Sequence, residues 1–504
     1  MSIIGRISKN LNEQNKKRLL SYLKRNGFSA TYYKVIEKLA GEKAETSYHH
    51  LSVKTAADEG ERSRQRETAF PHTYRISLVV PAYETNAVFL DQMLHSVIHQ
   101  TYTDWELCIA DGSKTDTVQN VVMEAIGSCG DPLIGGKIKY QRLRENKGIA
   151  GNTNAALTMA TGDYIGFLDH DDILTEDALY EVMRALNETA YRSGNIIQNT
   201  TWMLYSDEDK VNEDMSRYFD YHSKPDFDID LLRSNNYICH FLVVRRDVVE
   251  KTGGFLKEYD GAQDHDFIFR CAELMDPAHI RHISKVLYHW RAHDISTALS
   301  PDNKLYAYEA GKRAIEDHLK RMNLKARVMY TEHLGFFRVR YEAKGLRFVS
   351  MTPGELGLYT ADMLKDIPAD AIMVMDNNHV KPINKDYPDE LLGHMAREEV
   401  GAVGGKILSK EGRIDNAGFS ADENGKLKPR FRGMNGHFSG YMHRASIQNR
   451  VDALDQNCVM IRKKALIDWL TEQGTEYPVP ENGVIKMPKP YICVYDPFAK
   501  FRRI

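Results

Sequence analysis

The sequence predicts an α/β protein whose largest domain is built on a mostly parallel sheet. Two observations carry this. Short β-branched or apolar runs alternate with stretches of helical spacing between residues 76 and 168, the pattern of strands joined by helical crossovers. Each run also stops in polar or turn-forming residues, and in such sheets ligands gather at the carboxyl ends of the strands.

The elements follow in order. Ile76-Ser77-Leu78-Val79-Val80, stopped by Pro81, reads as a buried strand. Phe89, Met93, Leu94, Val97 and Ile98 give residues 88–99 helical spacing. Trp105–Ala110 reads as a second strand, 116–126 as a helix, Ile138–Leu143 as a third strand, Gly151–Ala160 as a helix and Tyr164–Leu168 as a fourth strand. Their ends are Pro81-Ala82-Tyr83-Glu84, Asp111-Gly112-Ser113, Glu145-Asn146-Lys147-Gly148 and Asp169-His170-Asp171-Asp172. Four such ends on one edge predict a nucleotide site there.

The 504 residues suffice for two to four domains. Hydrophobic content of 42% and charged content of 27% are those of a globular protein. A net charge of -3 gives no global field for nucleic acid. Six cysteines lack CxxC spacing, which argues against a disulfide framework or structural zinc and suits a reducing cytoplasm. No apolar run reaches the ~18 residues of a membrane span, and the N-terminus lacks a signal-peptide core. Residues 1–43 carry ten Lys/Arg against three Glu. They read as a basic helical segment that either packs on the rest of the protein or makes peripheral contact with an anionic membrane. Residues 46–73 read as a polar linker, so 1–73 form an N-terminal segment.

Candidate chemistry starts at Asp169-His170-Asp171-Asp172. Alternate residues of an extended segment face one way, so Asp169 and Asp171 can share a ligand. Mg²⁺ or Mn²⁺ takes one or two carboxylates plus substrate phosphates. The competing reading makes Asp172 the N-cap of a helix starting near Leu174. Asp111-Gly112-Ser113 is either a turn or a base and ribose site. Lys147-Gly148 places a cation and a permissive backbone near phosphates. Asp264, within Gln263-Asp264-His265-Asp266, is the natural general base for a sugar hydroxyl; its plain alternative is a first-turn carboxylate on a helix. In Val286–His293, His289 can complete a metal shell and Arg291 can hold diphosphate, against the reading of a half-buried strand. Tyr205-Ser206-Asp207-Glu208-Asp209-Lys210 reads by default as an exposed charged turn. Two acidic clusters plus a late Asp also suit a two-metal phosphohydrolase, which would want more histidines among the acids. A nucleotidyltransferase would want a glycine-rich basic loop after the first strand, unlike Pro81-Ala82-Tyr83-Glu84.

Taken together, Val79-Val80-Pro81-Ala82-Tyr83, Ala110-Asp111-Gly112-Ser113, Asn146-Lys147-Gly148, Asp169–Asp172, Gln263-Asp264 and Tyr288-His289-Trp290-Arg291 resemble the family 2 glycosyltransferases, inverting enzymes of the Rossmann-like GT-A fold. The resemblance spans about residues 74–330. Ser206–Lys210 and Asn236–His240 are similar to bacterial members that build surface polysaccharides. The resemblance implies that Pro81, Tyr83, Glu84 and Asp111 line the base and ribose pocket. It implies that Asp169 contacts ribose or metal, that Asp171 binds the metal, and that His289 and Arg291 sit near the leaving diphosphate. Asp264 would be the catalytic base, with Gln263 replacing the family's commoner Glu. A divalent metal (Mn²⁺ or Mg²⁺), a nucleotide-sugar donor such as a UDP- or dTDP-sugar, a glycan or lipid-linked acceptor, and a cytoplasmic place at the inner face of the cell membrane follow as expectations. A non-catalytic sugar-nucleotide or glycan binding protein is the alternative; intact Asp169, Asp171 and Asp264 discriminate against it.

Residues 331–504 resemble a second module of the tandem members of that family, incompletely. Ala371–Val380 resembles the strand and acidic motif, but Asn378 stands where a second Asp is expected. The units that hold the base are mostly absent between Tyr341 and Ala371, and the segment for a catalytic carboxylate is eroded. The expectation is a degenerate module that stabilises the first domain, binds acceptor glycan or forms a homo-oligomer interface.

Overall fold

The computed structural model describes residues 16, 19–37, 57–128, 132–193, 196–292, 305–473 and 483–504. It divides into two compact units, one of Lys38–Phe227 and Tyr237–His318, the other of Met1–Glu37, Asp228–Asn236 and Leu319–Ile504. The cut after His318 compares with the expected boundary at 330/331.

In the first unit, helix α1 (Glu59–Glu67) lies inside the stretch expected as a linker. An all-polar helix forms there because Asp58 caps it and Arg62 and Arg64 pair with Glu59 and Glu61 one turn back. Gln65 anchors it by accepting from the Thr101 hydroxyl at 2.9 Å. Then come β1 (Ile76–Ala82), α2 (Ala87–Ile98), β2 (Trp105–Asp111), α3 (Thr117–Ser128), β3 (Ile138–Arg142), α4 (Gly148–Leu157), β4 (Tyr164–Phe167), β5 (Ile173–Leu174) and α5 (Ala178–Glu188). β6 (Met203–Asn212), β7 (Tyr218–His222), β8 (Leu242–Arg245), α6 (Gln263–Ala272) and β9 (Ile280–Ala292) follow.

The nine-stranded sheet runs β3-β2-β1-β4-β8-β6-β9-β5, with β7 on β6. The β3-β2-β1-β4 half is parallel. β8 then runs antiparallel to both β4 and β6, so the sheet is mixed rather than mostly parallel. Every residue of β1 and β2 is buried, as expected when both faces are covered.

Two expectations change. Tyr205–Lys210 is not an exposed turn but part of buried β6, with Asp207 and Asp209 fully enclosed. Burial is tolerable because each carboxylate has a partner: Asp207 accepts from the Lys224 N–H (2.8 Å) and the Tyr221 hydroxyl (2.8 Å) and pairs with His282 (2.7 Å). Asp172 does not cap a helix. Ile173-Leu174 pairs with β9, and the helix starts only at Ala178.

In the second unit the sheet has β10 (Phe348–Met351), β11 (Ala371–Met375), β12 (Val380–Pro382), β13 (Val400–Leu408), β14 (Cys458–Arg462) and β15 (Ile492–Arg503), in the order β10-β11-β14-β13-β15-β12. β10/β11 and β13/β15 are parallel and the other pairs antiparallel. Order and directions repeat β1-β4-β8-β6-β9-β5 of the first unit strand for strand. Among the described residues nothing flanks β10 on the side where β2 and β3 flank β1. Alternate residues face two cores, Ile372 and Val374 on one side and Ala371 and Met373 on the other.

Residues 19–37 are helical. Tyr22 and Thr31 are buried, and Glu37 accepts from the Ser439 hydroxyl (2.9 Å) and the Gly440 N–H (2.8 Å). This part of the basic segment therefore packs on residues of its own unit; residues 1–15 and 38–43 lie outside the described residues. Among the described residues no helix is long and apolar enough to cross a membrane.

Candidate active site

The expected nucleotide edge is built by the ends of β1, β2 and β4. Pro81 is the buried penultimate residue of β1, and Tyr83 beyond it is 41% exposed. Glu84 takes a positive φ of 46°, and its carboxylate accepts from the Lys114 N–H (2.7 Å) and the Thr115 hydroxyl (2.9 Å). These bonds hold its pKa below the usual carboxylate range. Buried Asp111 accepts from the Ser113 N–H (2.8 Å) and the Tyr140 hydroxyl (2.7 Å). Gly112 passes so close to Asn146 and Asn152 that a Cβ would lie 2.9 Å from the Asn152 amide nitrogen. Lys147 is exposed at the N-terminus of α4. Gly148 has φ +78°, and a Cβ there would meet Asp260 Oδ2 at 2.7 Å. Asp260 also accepts from the Ala150 N–H at 3.2 Å, which ties this loop to the segment leading into Asp264.

Around the acidic motif, the structure brings Asp169, Asp172 and His240 together, with ligand-type atoms within 4.8 Å of one another. Asp169 Oδ2 is 3.8 Å from His240 Nε2, and the Asp169 side chain is 41% exposed. Asp172 is the anchor. It accepts from the Tyr288 hydroxyl (2.6 Å) and the Arg291 N–H (2.7 Å). Burial, then the charges of Asp171 and Asp169, push its pKa well up. Asp171 is on the same loop, and its carbonyl accepts from Arg291 Nε at 2.7 Å.

Two expected contributors, beside the acidic loop, are engaged in other contacts. His289 pairs with Asp209 (2.5 Å) and packs against Tyr218. Asp171 and His289 belong to no group of three or more ligand-type side chains of this kind among the described residues. Arg291 is fully buried, its guanidinium donating to the carbonyls of Asp171 and Glu213 (2.8 Å) and lying over the Phe89 ring. It holds the acidic loop from behind.

Asp264 lies in the first turn of α6, half-buried, where the helix N-terminus favours a carboxylate. The Gln263 side chain accepts from the Gly261 N–H at 2.8 Å, a task open to either Gln or Glu. The Cys239 thiol donates to Asp264 Oδ2 at 3.5 Å, and the same sulfur is 3.5 Å from His240 Nε2. Thus Asp169, His240, Cys239 and Asp264 form one continuous set of contacts.

What positions that set is a layer the sequence does not announce. Cys239 has φ +39°, an uncommon conformation for a residue with a Cβ. Lys224, its side chain fully enclosed, donates to the carbonyls of Ile238 (2.6 Å) and His240 and lies 3.4 Å from Glu208. Burial disfavours the Glu208 charge, but Lys224, His222 and His240 outweigh it and hold its pKa well below the usual range. For His240, burial opposes the charge, while Cys239 and the Glu208 carboxylate at 3.1 Å raise the pKa well above that of a free imidazole. Its ring stacks on Tyr288 at 4.4 Å.

A half-parallel sheet thus carries an acidic loop and a carboxylate-bearing helix at its carboxyl edge, where α/β proteins place their ligand sites. The model of glycosyl transferase family 2 matches residues 77–253. The chain carries a domain of that family, with a GT-A-like α/β fold. An uncharacterized protein, y4gI of Sinorhizobium fredii, is 30% identical over 450 residues, 77% of this chain and 48% of that protein. The O-antigen biosynthesis protein RfbC of Myxococcus xanthus is 30% identical over 402 residues, 68% of this chain and 30% of its own length. The Escherichia coli β-1,3-glucosyltransferase WfgD, named for UDP-Glc and a diphosphoundecaprenol-linked acceptor, is 32% identical over 132 residues, 25% of this chain and 49% of that protein. The chain spans less than half the length of each of these relatives.

Proposed function

We propose that the chain is an inverting glycosyltransferase that moves a sugar from a nucleotide diphosphate donor to a glycan or lipid-linked acceptor in surface-polysaccharide synthesis. The single observation that carries this reading is the contact set from Asp169 through His240 and Cys239 to Asp264. It supports a donor-side acidic site and an acceptor-side base sharing one cleft.

The acceptor hydroxyl gives its proton to Asp264, and its oxygen attacks the anomeric carbon from the face opposite the leaving nucleotide diphosphate. One displacement inverts the configuration. Tyr83 and Glu84 line the base and ribose side, with buried Asp111 holding the Ser113 turn behind them; Lys147, at the exposed N-terminus of α4, faces the phosphates. Asp169, with Asp172 behind it and Asp171 on the same loop, would hold Mn²⁺ or Mg²⁺; His240, hydrogen-bonded to Glu208, flanks them. The fit rests on the clustered carboxylate oxygens, where the charges of Asp171 and Asp169 add to the burial that raises Asp172. Such an ion offsets the charge that develops on the departing diphosphate. Arg291 and Tyr288 keep the acidic loop in place.

The test is a screen of UDP-, dTDP- and GDP-sugars for donor turnover with Mn²⁺ or Mg²⁺, repeated with chelator, with the product anomer read by NMR. Turnover by one donor that chelator abolishes, with an inverted product, is expected. Retention of configuration would refute the single displacement.

A further inference from the structure

The second unit has a cavity of its own, of about 370 Å³, at its sheet edge. That volume lies in the range of small-ligand pockets, about 300–1,000 Å³. Its floor is polar, formed by Asp415, Asn416, Asp455 and Arg503, and half-buried Phe419 with Leu427 of the facing strand gives it an apolar wall.

The repeated topology says where this cavity falls. In the first unit His289 pairs with Ile173, the residue directly after Asp169–Asp172. In the second, Arg503 pairs with Val380, directly after Asp376–His379. Arg503 therefore occupies the rung of His289. Its guanidinium donates to Asp415 at 2.8 Å and to Asp455. A fixed side-chain cation thus bridges the two carboxylates of the floor, and Arg432 stands 3.7 Å from Asp415. Asp376, at the position of Asp169, is folded into its own loop, accepting from the Asn378 N–H (3.0 Å) and pairing with His379 (2.7 Å). Among the described residues the second unit has no cluster of three metal-ligand side chains.

We propose that this cavity is a metal-independent binding site for a neutral saccharide, the acceptor glycan of the reaction. The two carboxylates and the amide supply acceptors for hydroxyl groups, the guanidinium supplies donors, and the ring of Phe419 receives the C–H face of a pyranose. A nucleotide diphosphate is disfavoured, because Asp376 is folded into its own loop, no cluster of three metal-ligand side chains stands among the described residues of this unit, and both Arg503 and Arg432 already face Asp415. That the glycan is the acceptor rests on the transferase reading; that a saccharide binds here does not.

The experiment is saturation-transfer difference NMR on the full chain in EDTA, without nucleotide, using millimolar glucose, galactose, N-acetylglucosamine and rhamnose. At least one sugar should give a signal that drops fivefold or more in Phe419→Ala and persists in Asp264→Asn. Arg432, 68% exposed on the rim, provides a variant that spares the core: Arg432→Ala should also weaken the signal, and it decides the matter if Phe419→Ala does not fold. No signal from any sugar, or one that survives the folded variants, overturns the site. A signal that responds to the variants in a chain inert towards every donor upholds the site while removing the transferase reading.

Discussion

The Cys239 thiol donates to the carboxylate of Asp264 across 3.5 Å. Burial pushes that thiol up to about 12, so it stays neutral near pH 7 and orients the carboxylate without competing for its proton. One weak hydrogen bond contributes about 1 kcal/mol. Cys239→Ala should therefore lower kcat about three- to tenfold and leave donor KM nearly unchanged, in steady-state kinetics with a saturating acceptor. A large rise in donor KM with kcat intact would place Cys239 in donor binding instead.

Lys224 is the enclosed cation that fixes the loop through Ile238 and His240. Replacing it by Met leaves Glu208 buried without its ammonium partner, a change that typically costs about 3–5 kcal/mol. Lys224→Met should lower the thermal midpoint markedly. The double variant Lys224→Met, Glu208→Gln should recover part of the loss.

Buried Glu106 accepts from the Ser77 hydroxyl (2.6 Å) and the Thr161 N–H (2.5 Å) and pairs with Lys139 (2.7 Å). Burial alone would raise its pKa, but Lys139, Ser77 and Thr161 together lower it to about 2 from an ordinary 4.5. A depressed folded-state pKa stabilises the fold above the unfolded value, and that stabilisation is lost as pH falls from about 4.5 towards 2. It amounts to about 3 kcal/mol at most. Glu106→Gln should be less stable than the parent at pH 7 and show a flatter fall in urea midpoint over that acid window. Parallel pH curves for the two proteins would contradict this assignment.

Much of the first sheet was legible in its residues. β1, β2 and β4 are apolar runs with polar ends, β3 alternates apolar and polar residues at its start, and each crossover helix shows its spacing. Asp169 and Asp264 stood out because carboxylates at a strand end and at a helix start are conspicuous. The layer behind them was not legible. Asp207, Glu208 and Asp209 look like a surface turn when counted as charges; they are a buried strand because Lys224, Tyr221, His222, His282 and His289 answer them from far along the chain. His240 was visible only as part of a family-like segment, since its partners Glu208, Tyr288 and Asp169 meet it through tertiary folding alone. Arg291 carried the chemistry of a phosphate ligand, and only its enclosure shows that it holds the Asp171 carbonyl. The same limit hid the division of the chain, because no local feature of Asp228–Asn236 assigns it to the unit of residues 319–504.

Asp169 is the exposed oxygen donor of the cluster with His240 and Asp172. Asp169→Asn should weaken Mn²⁺-dependent nucleotide binding tenfold or more by calorimetry, with little effect on binding in chelator. Equal weakening in both conditions would mean that the carboxylate serves the ribose rather than a cation.

The most direct measurement compares wild type with Asp264→Asn, using the donor that turns over, saturating Mn²⁺ and a defined acceptor. The account predicts a thousandfold or greater loss of kcat, donor affinity within about threefold, and an unchanged thermal midpoint. An Asp264→Asn protein that transfers sugar at the wild-type rate would contradict it.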